Sequence, residues 1–368
     1  MAKAGKIDIS SMKKFVNKKV GLDIAHDLNQ DNPTEVKEWI PTGSRWLDSI
    51  ICRGKMAGIP VGKITELAGL SSAGKSYMAC QIATQAQKKG HCVVYFDAES
   101  AIDPLFLTNS GIDINNDFLY IQAVSVEKTL ETIEDLMSEY PETQFLFIWD
   151  SIAATSSEKD LEGDFNPQSS MAVKPRIFAK AFPKLTIPLA NQQCTLLLIN
   201  QLKTNIAATA WEAMTTPYVA PGGKAIEYFC SLRIWLTKRK AKAAHVTDDS
   251  GLRIGSEVKV KVEKSRFGSE GRECGFKILW GKDVGIQDEE SWLEALRASG
   301  SDRFKPGAWN KIFDRDGKEY KFQRSQWTKK LQDPEFRSVV LDIMDEEIIK
   351  KFESEGKNFG LEGESDEA

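Results

Sequence analysis

One stretch of the sequence, residues 69–76, reads G-x-x-x-x-G-K-S: Gly69, Leu70, Ser71, Ser72, Ala73, Gly74, Lys75, Ser76. An apolar run, residues 64–68, precedes it, and residues 77–89 follow without glycine or proline. The two glycines let successive backbone N–H groups close around phosphate oxygens at the positive end of a helix dipole. The stretch therefore predicts a strand, a P-loop and a helix, and with them an α/β fold that binds a nucleoside triphosphate.

Two side chains at the end of this loop carry the expected chemistry. Lys75 supplies a mobile cation for the β- and γ-phosphates, and Ser76 supplies a hydroxyl oxygen for Mg²⁺. Tyr77, the next residue, is expected to contact the nucleotide as well. The pattern thus predicts a site for a nucleoside triphosphate and Mg²⁺.

The composition is that of a globular protein. Of 368 residues, 41% are hydrophobic and 28% are charged, and the formal net charge is −4. No apolar run approaches the roughly 18 residues that span a bilayer, and no apolar signal region follows the N-terminus. The 6 cysteines form no C-x-x-C pair and the 3 histidines are isolated, so no structural zinc site is expected. We expect a cytoplasmic protein with reduced thiols and no membrane partner.

Apolar runs alternate with helical runs over most of the chain, which predicts a doubly wound α/β domain. The predicted strands are residues 64–67, 92–96, 118–122, 145–149 and 195–200. The predicted helices are residues 76–89, 126–140 and 171–190, the last broken by Pro183 and Pro188. Three later runs alternate apolar and polar residues with a period of two, namely residues 231–238, 256–264 and 273–279. The expected fold is a mostly parallel twisted sheet with an antiparallel extension.

The chain divides into four segments by pattern. Residues 1–40 contain a short helical run and too few apolar residues to fold alone, so this arm must dock on the core or on another copy. Residues 41–282 form the α/β core, and residues 283–354 form a small C-terminal α+β region. Residues 355–368 are acidic and lack an apolar pattern, which predicts a disordered tail.

Carboxylates follow two of the predicted strands. Asp150 ends the run 145–149 in the manner of a Walker-B segment, where it can orient a water bound to Mg²⁺. Glu99 lies just beyond the run 92–96, where a general base can polarise the water that attacks the γ-phosphate. The alternative for Glu99 is a carboxylate at the start of a helix. Since parallel strands end at one sheet edge, both carboxylates are expected beside the P-loop.

Gln201 follows the fifth predicted strand, where a neutral amide can sense a γ-phosphate. The residues after it, 202–221, show little periodicity, and a loop of this length in a compact domain is usually functional. A second irregular stretch, residues 161–170, follows the strand that ends at Asp150. Two such loops at the nucleotide edge of the sheet suit binding of single-stranded nucleic acid.

Taken in order, these motifs resemble the RecA-type recombinases, the family of bacterial RecA and phage UvsX, across roughly residues 39–281. Besides the P-loop, the resemblance rests on Pro41-Thr42-Gly43, Asp97-Ala98-Glu99, Asp150-Ser151-Ile152-Ala153-Ala154, Ile199-Asn200-Gln201, Gly222-Gly223 and the run from Gly255 to Arg266. It implies a RecA-like P-loop ATPase core with an N-terminal polymerisation arm. It also implies a filament, driven by ATP and Mg²⁺, that coats single-stranded DNA, pairs it with a homologous duplex and exchanges strands.

The resemblance assigns roles near the nucleotide. Glu99 resembles the catalytic base, and Gln201 resembles the switch at the root of the second DNA loop. Asp103 and Phe106 resemble the contacts on the adenine side. The family usually has tyrosine where Phe106 stands, so a hydroxyl contact is lost while stacking is kept.

Lys264 and Arg266 resemble a pair of cations that reaches across the subunit interface to the γ-phosphate of a neighbour. The family commonly has lysine at both positions; arginine at 266 keeps the charge and adds a planar fork. Such cations imply that hydrolysis requires the filament, because an isolated subunit lacks the charges that stabilise the transition state. The arm, residues 1–40, resembles the segment that packs on the next subunit.

The DNA contacts implied by the resemblance fall in the two loops and beside them. They are Leu161, Glu162, Gly163, Asp164, Phe165, Asn166, Ser169, Ser170, Met171, Arg176, Lys203, Thr204, Asn205, Ile206, Trp211, Gly222 and Gly223. The implied partners are single-stranded DNA, homologous duplex DNA and further copies of the chain in a helical polymer. Single-strand-binding and mediator proteins are expected as well.

Two other functions fit part of the pattern. A hexameric DNA helicase of the same fold shares both nucleotide motifs, although it normally carries a different finger arrangement and N-terminal domain. A non-catalytic filament or mediator protein would use the nucleotide as a structural switch. Glu99 argues against a pure switch, which needs no base. The activity predicted is hydrolysis of ATP to ADP and phosphate that depends on DNA.

Overall fold

The computed structural model of this chain describes residues 8–21, 24–28, 32, 35–52, 56–100, 102–163, 172–206, 209, 211, 214, 217–238, 245–280 and 285–352. The strands are β1 (Trp39–Ile40), β2 (Ile59–Pro60), β3 (Ile64–Gly69), β4 (Cys92–Asp97), β5 (Phe118–Gln122), β6 (Phe145–Asp150), β7 (Thr195–Gln201), β8 (Lys203–Thr204), β9 (Tyr218–Val219), β10 (Leu232–Lys238), β11 (His245–Thr247), β12 (Arg253–Ser265), β13 (Glu273–Leu279), β14 (Gly285–Gln287), β15 (Phe304–Lys305), β16 (Asn310–Phe313) and β17 (Glu319–Phe322). The helices are α1 (Ile9–Val20), α2 (Arg45–Ile51), α3 (Lys75–Lys88), α4 (Pro104–Asn109), α5 (Val126–Glu139), α6 (Glu158–Glu162), α7 (Val173–Gln192), α8 (Lys224–Phe229), α9 (Asp288–Ser299), α10 (Trp327–Lys330) and α11 (Pro334–Phe352). Within these ranges, no helix has both the length and the apolar character needed to cross a membrane.

A ten-stranded sheet runs through the described residues in the order β14-β13-β12-β10-β3-β7-β6-β4-β5, with β11 paired to β12. The strands from β10 to β5 in this order are parallel to one another, and the pairs made by β11, β12, β13 and β14 are antiparallel. β3 and β6 are buried along their whole length, as parallel strands are when helices cover both faces. The predicted mostly parallel sheet with an antiparallel extension is confirmed.

Two hydrophobic layers enclose this sheet. One face packs against α2 and α3 through side chains such as Leu47, Met78 and Ile82, which have no solvent exposure. The other face packs against α5, α7 and α8 through side chains such as Ile133 and Phe182. Full burial of one such side chain contributes roughly 1.5–3 kcal/mol, so these layers fix the sheet and hold its carboxyl edge in place.

Helix α7 is continuous, which corrects the predicted break at Pro183 and Pro188. Both prolines are exposed on the outer face, so water can reach the carbonyl groups that they leave without an N–H donor. The buried residues of the inner face are Phe178, Phe182, Leu185 and Leu189. Burial of these four side chains offsets a cost of about 3 kcal/mol for each proline inside a helix.

The antiparallel extension is confirmed for β12 and β13, where Val258 lies opposite Phe276. β10 differs from the expected meander, because it pairs antiparallel with β12 but parallel with β3. It therefore joins the extension to the parallel sheet and places Leu236 beside Gly69 of the P-loop. A period of two is the same in parallel and antiparallel strands, so the sequence pattern could not distinguish them.

A second hydrophobic core forms in the C-terminal region. It includes Phe322 and Phe336, whose rings meet edge to face with centroids 5.3 Å apart. β16 and β17 form a hairpin, with Ile312 opposite Tyr320. β14 pairs with β13, so the central sheet extends to Gln287 before α9 begins this second core.

Helix α1 in the N-terminal arm has no buried residue. The apolar side chains of Ile9, Met12 and Phe15 are 54%, 51% and 65% exposed. Asp8 caps the helix by accepting a hydrogen bond from a backbone N–H of its first turn. A capped helix with an uncovered apolar side is suited to packing on another surface.

Asp48 is a buried carboxyl group in α2. It accepts hydrogen bonds from the backbone N–H and the hydroxyl of Thr42 at 2.9 and 2.6 Å. Burial raises the pKa of Asp48 to about 7, and the nearby Asp288 adds to the rise. In the unfolded chain this group titrates near pH 4. Between about pH 4 and pH 7, therefore, only the folded protein holds the proton. Its contribution to stability is therefore present at low pH and is lost as the pH rises to 7.

We expect Asp48→Asn to flatten this pH dependence, because the amide still accepts hydrogen bonds from Thr42 and does not ionise. The free energy of unfolding, measured with urea at about pH 5 and about pH 8, should fall more in the wild type. From about pH 5 to about pH 8, the free energy of unfolding of the wild type should decrease by on the order of a few kcal/mol more than that of Asp48→Asn, since one pKa unit corresponds to about 1.4 kcal/mol. Equal falls would exclude Asp48 as the responsible group.

Candidate nucleotide-binding site

A cleft of about 740 Å³ opens where the parallel strands end. Parallel pairing sets Gly69 opposite Gln201 and Asp97 opposite Asp150, so the carboxyl ends of β3, β7, β4 and β6 share this edge. The predicted site residues that line the cleft are Ser71, Ser72, Ala73, Gly74, Lys75, Ser76, Tyr77, Glu99, Phe106, Asp150 and Gln201. The fold therefore brings most of the predicted nucleotide residues to one place.

The P-loop backbone disfavours a side chain at both of its glycines, by its positive φ at Gly74 and by a close backbone contact at Gly69. Gly74 has a φ of +87°, and a Cβ there would lie 2.5 Å from Cδ1 of Ile278. A Cβ at Gly69 would lie 2.8 Å from the carbonyl oxygen of Leu236. Helix α3 begins directly after the loop, at Lys75, so its free N–H groups and its dipole favour an anion there. This geometry fits the phosphates of a nucleotide.

Ser76 and Asp150 meet in the cleft. The Ser76 hydroxyl donates to Oδ2 of Asp150 at 2.6 Å, and the Tyr95 hydroxyl donates to the same oxygen at 2.8 Å. Burial raises the pKa of Asp150, while these two hydrogen bonds oppose the rise and Glu99 adds to it. Hydroxyl and carboxylate oxygens are ligands that Mg²⁺ prefers, so this pair fits the ion and the waters that it retains.

Lys75 is partly desolvated in the same cleft. Its ammonium group donates to the carbonyl oxygen of Leu70 at 3.1 Å. Burial lowers the pKa of Lys75, and the carboxylates of Asp150 and Glu99 oppose the fall. An ammonium group on a flexible stem that is held by a neutral carbonyl can turn toward a phosphate, which is a stronger partner.

The carboxylate of Glu99 is held by two side chains. Ser151 Oγ donates to Oε1 of Glu99 at 2.9 Å, and Gln201 Nε2 donates to the same oxygen at 3.0 Å. Glu99 does not start a helix, since α4 begins later, at Pro104. The carboxylate that was predicted as a base thus contacts the side chain immediately before the 202–221 loop.

Phe106 and Asp103, the two predicted contacts on the adenine side, are placed differently. Phe106 lines the cleft, and its ring stands edge-on to that of Tyr77 with centroids 6.5 Å apart. Asp103 caps α4 by accepting a hydrogen bond from the Phe106 N–H at 2.8 Å, and it does not line the cleft. The structure therefore brings Phe106, but not Asp103, to the cleft wall.

Several cleft residues were not indicated by the sequence motifs, among them Lys238, Arg253 and Trp280. The Lys238 ammonium donates to the carbonyl of Ser72 at 3.3 Å. The Arg253 guanidinium lies 5.1 Å from the centre of the Trp280 ring, a cation–π contact. These residues reach the cleft because the antiparallel extension lies beside β3, and no local sequence signal reports that pairing.

Lys264 and Arg266 do not line the cleft of their own chain. Lys264 donates to the carbonyls of Glu227 and Tyr228, the latter at 3.2 Å, and Arg266 donates to that of Tyr228 at 2.8 Å. Both contacts lie at the C-terminal end of α8, where cations are favourable. Burial lowers the pKa of Lys264, and Arg266 lowers it further.

The roots of the two predicted DNA loops surround a second cavity of about 530 Å³. Its lining includes Asp160, Ala172, Lys174, Lys203, Pro221 and Gly222. Lys174, which no motif indicated, donates to the carbonyl of Ala153 at 3.2 Å, and burial lowers its pKa. The two loops therefore leave the core from one shared region.

The first predicted loop begins later than expected. Leu161 and Glu162 belong to the end of α6, and Gly163 follows them, which corrects the predicted loop start. Ser157 stabilises this short helix through a capping box with Asp160. Arg176 lies exposed in the first turn of α7. The remaining predicted contacts of this loop lie outside the described residues: Asp164, Phe165, Asn166, Ser169, Ser170 and Met171.

The second predicted loop has a short stem. Lys203 and Thr204 form β8, which pairs antiparallel with β9, so the expectation of an irregular stretch is corrected at both ends. Beyond the stem, Ile206 and Trp211 are 95% and 73% exposed, and Asn205 donates a backbone hydrogen bond to Pro217. Gly222 and Gly223 close the loop with φ values of +108° and +76°. The positive φ of Gly222 is a conformation that residues with a side chain rarely adopt, so this turn favours glycine.

The parallel sheet order, the P-loop at its edge and the acidic ends of β4 and β6 define a P-loop nucleotide-binding protein of the α/β class. Comparison with known proteins makes this class more specific. A family described as the RecA N-terminal domain matches residues 7–286. The chain belongs to the RecA family, the proteins of ATP-dependent homologous recombination and strand exchange.

Individual proteins of this family are also similar to the chain. Protein RecA of Wigglesworthia glossinidia brevipalpis is 30% identical over 294 residues, which cover 80% of this chain and 83% of the relative. Protein RecA of Fusobacterium nucleatum subsp. nucleatum is 33% identical over 269 residues, 73% of this chain and 67% of the relative. Protein RecA of Mannheimia haemolytica is 32% identical over 272 residues, with 74% and 69% covered.

Proposed function

We propose that this chain is a DNA-dependent ATPase that assembles as a helical filament on single-stranded DNA and catalyses pairing and strand exchange with a homologous duplex. Membership of the RecA family supports the function in recombination. The observation that carries the dependence on DNA is the hydrogen bond between Glu99 and Gln201 at 3.0 Å. It joins the proposed base to the residue before the 202–221 loop, so occupancy of one site changes the contacts of the other.

In this proposal, the P-loop N–H groups and Lys75 bind the β- and γ-phosphates of ATP. Ser76 and Asp150, whose side chains meet in the cleft, would hold Mg²⁺, which would neutralise charge on the phosphate oxygens. Glu99 accepts a proton from the attacking water as the general base. Gln201 shares its hydrogen bond between Glu99 and the γ-phosphate, which makes it the switch. Phe106 stacks against the adenine from the cleft wall, while the contact predicted for Asp103, which caps α4 outside the cleft lining, stays a prediction.

We further propose that the single strand lies along the two loops. Trp211 and Ile206 are exposed there and offer surfaces for bases, while Lys203 and Arg176 offer charge for phosphates. The arm, residues 1–40, packs on a neighbouring subunit through the uncovered side of α1. Residues 41–282 act as the ATPase and DNA-binding core, residues 283–354 as a small domain and residues 355–368 as a tail. Single-strand-binding and mediator proteins complete the set of proposed partners.

The test is ATP hydrolysis with and without single-stranded DNA. We expect stimulation of about 10³- to 10⁵-fold, because Lys264 and Arg266 of a neighbouring subunit complete the site only when DNA assembles the filament. Negative-stain electron microscopy of the same samples with a non-hydrolysable ATP analogue should show open helical filaments. Equal turnover with and without DNA would contradict the coupling through Gln201, and closed rings would favour a helicase.

A further inference from the structure

Three polar residues that the proposed function does not use lie buried in the centre of the sheet. They are Glu66 on β3, Asn200 on β7 and Arg233 on β10, here called the buried triad. Arg233 lies opposite Glu66, and Glu66 lies opposite Leu198, two residues before Asn200, so the three side chains share one face of the sheet. Glu66 and Asn200 have no solvent exposure, and Arg233 is 9% exposed.

The carboxylate of Glu66 has a partner on each oxygen. Arg233 Nε donates to Oε2 at 2.6 Å, and Asn200 Nδ2 donates to Oε1 at 2.8 Å. Burial disfavours the charged guanidinium, but Glu66 outweighs this effect, and the pKa of Arg233 is raised. Charges at this depth persist only when they are paired and hydrogen-bonded, and this carboxylate meets both conditions.

Asn200 holds both ends of the 202–221 loop. Its Nδ2 also donates to the carbonyl of Pro221 at 2.8 Å, and its Oδ1 accepts a hydrogen bond from the Gln201 N–H at 2.9 Å. The Gln201 side chain in turn reaches Glu99. One amide thus fixes the start of the loop, the end of the loop and the backbone from which Gln201 contacts the proposed base.

The orientation of this amide depends on Glu66. A carboxylate accepts hydrogen bonds and cannot donate them, so it admits only the NH₂ side of Asn200. The oxygen is then directed to the Gln201 N–H. Arg233 Nε donates to the other oxygen of Glu66 and holds the carboxylate in place. Stability alone does not require this arrangement, because apolar residues of similar volume often replace a buried ion pair without loss.

We propose that Glu66 and Arg233 are positioning residues for the DNA-dependent step: through Asn200 they hold both ends of the 202–221 loop, and with them Gln201, in the geometry that couples DNA to hydrolysis. This inference rests on the proposed function, because the role of the loop in DNA binding is part of that proposal.

Two double variants that differ by one group at position 66 test it. Glu66→Leu/Arg233→Met replaces the ion pair with apolar side chains and leaves Asn200 without its acceptor. Glu66→Gln/Arg233→Met removes the same charges but keeps an oxygen that accepts from Asn200. We expect both to bind a fluorescent ATP analogue as the wild type does, because neither residue lines the cleft. The leucine variant should lose about 10- to 100-fold of the stimulation of ATP hydrolysis by single-stranded DNA, and the glutamine variant should retain most of it.

The outcomes separate this inference from the proposed function. A wild type without stimulation by DNA defeats the proposed function itself. A stimulated wild type with an equally stimulated leucine variant overturns the positioning role alone. If the leucine variant does not fold, as judged by urea unfolding, Asn200→Ala replaces it, since that change leaves the Arg233–Glu66 pair intact. It should also lose stimulation, and full stimulation there would equally overturn the role.

Discussion

Replacing Glu99 by glutamine is expected to slow ATP hydrolysis by about 10²- to 10⁴-fold, the usual contribution of a general base. The amide cannot take a proton from water, but its oxygen still accepts hydrogen bonds from Ser151 and Gln201, which hold Glu99 in the wild type. Affinity for ATP should change little, because the P-loop and Lys75 supply the phosphate contacts in our proposal. Affinity for single-stranded DNA should likewise persist.

Steady-state turnover, binding of a fluorescent ATP analogue and fluorescence anisotropy of a labelled oligonucleotide measure these three quantities separately. Glu142→Gln is the matched control, because Glu142 is an exposed carboxylate in the turn after α5 and does not line the cleft. The control should behave as the wild type in all three assays. Turnover by Glu99→Gln close to that of the control would remove Glu99 from the chemistry.

The sequence predicted the parallel part of the fold well for a physical reason. Strand β6 is buried on both faces, so its sequence is an unbroken apolar run that ends abruptly at Asp150, the polar residue at the edge of the sheet. The same logic located Asp150 and Gln201, because side chains that follow parallel strands must meet at one edge. For these residues, the position in the local sequence pattern is enough to predict the position in the folded protein.

Other features depend on contacts that no local pattern records. Tyr95 lies inside an apolar strand, and only the pairing of β4 with β6 brings its hydroxyl to Asp150. Arg253 enters the cleft because β10 joins the antiparallel strands to β3. The prolines of α7 predicted a break that the burial of Phe182 and its neighbours prevents. In each case tertiary packing decides the outcome, and local propensity is the weaker influence.

Removing both cations, in Lys264→Ala/Arg266→Ala, is expected to reduce DNA-stimulated turnover by about 10³- to 10⁵-fold, the contribution of a charge supplied in trans to phosphoryl transfer. The affinity of the isolated subunit for ATP should be unchanged, because neither residue lines its own cleft. Their contacts with the end of α8 contribute about 0.3–1 kcal/mol each, so the variant should fold. Lys277→Ala/Lys311→Ala removes the same charge at partly exposed lysines outside the cleft and should keep its activity.

A mixing experiment separates action in trans from action in cis. Lys75→Ala should be inactive on its own because it lacks the P-loop cation, yet it retains Lys264 and Arg266. When it neighbours a Lys264→Ala/Arg266→Ala subunit in the filament, one interface between them is complete. The double variant supplies the intact P-loop there, and the Lys75→Ala subunit supplies Lys264 and Arg266. In an equal mixture about a quarter of the head-to-tail interfaces are complete, so two inactive proteins should together regain turnover that depends on DNA. If mixed filaments form and stay inactive, the cations do not act across the interface, and hydrolysis need not wait for assembly.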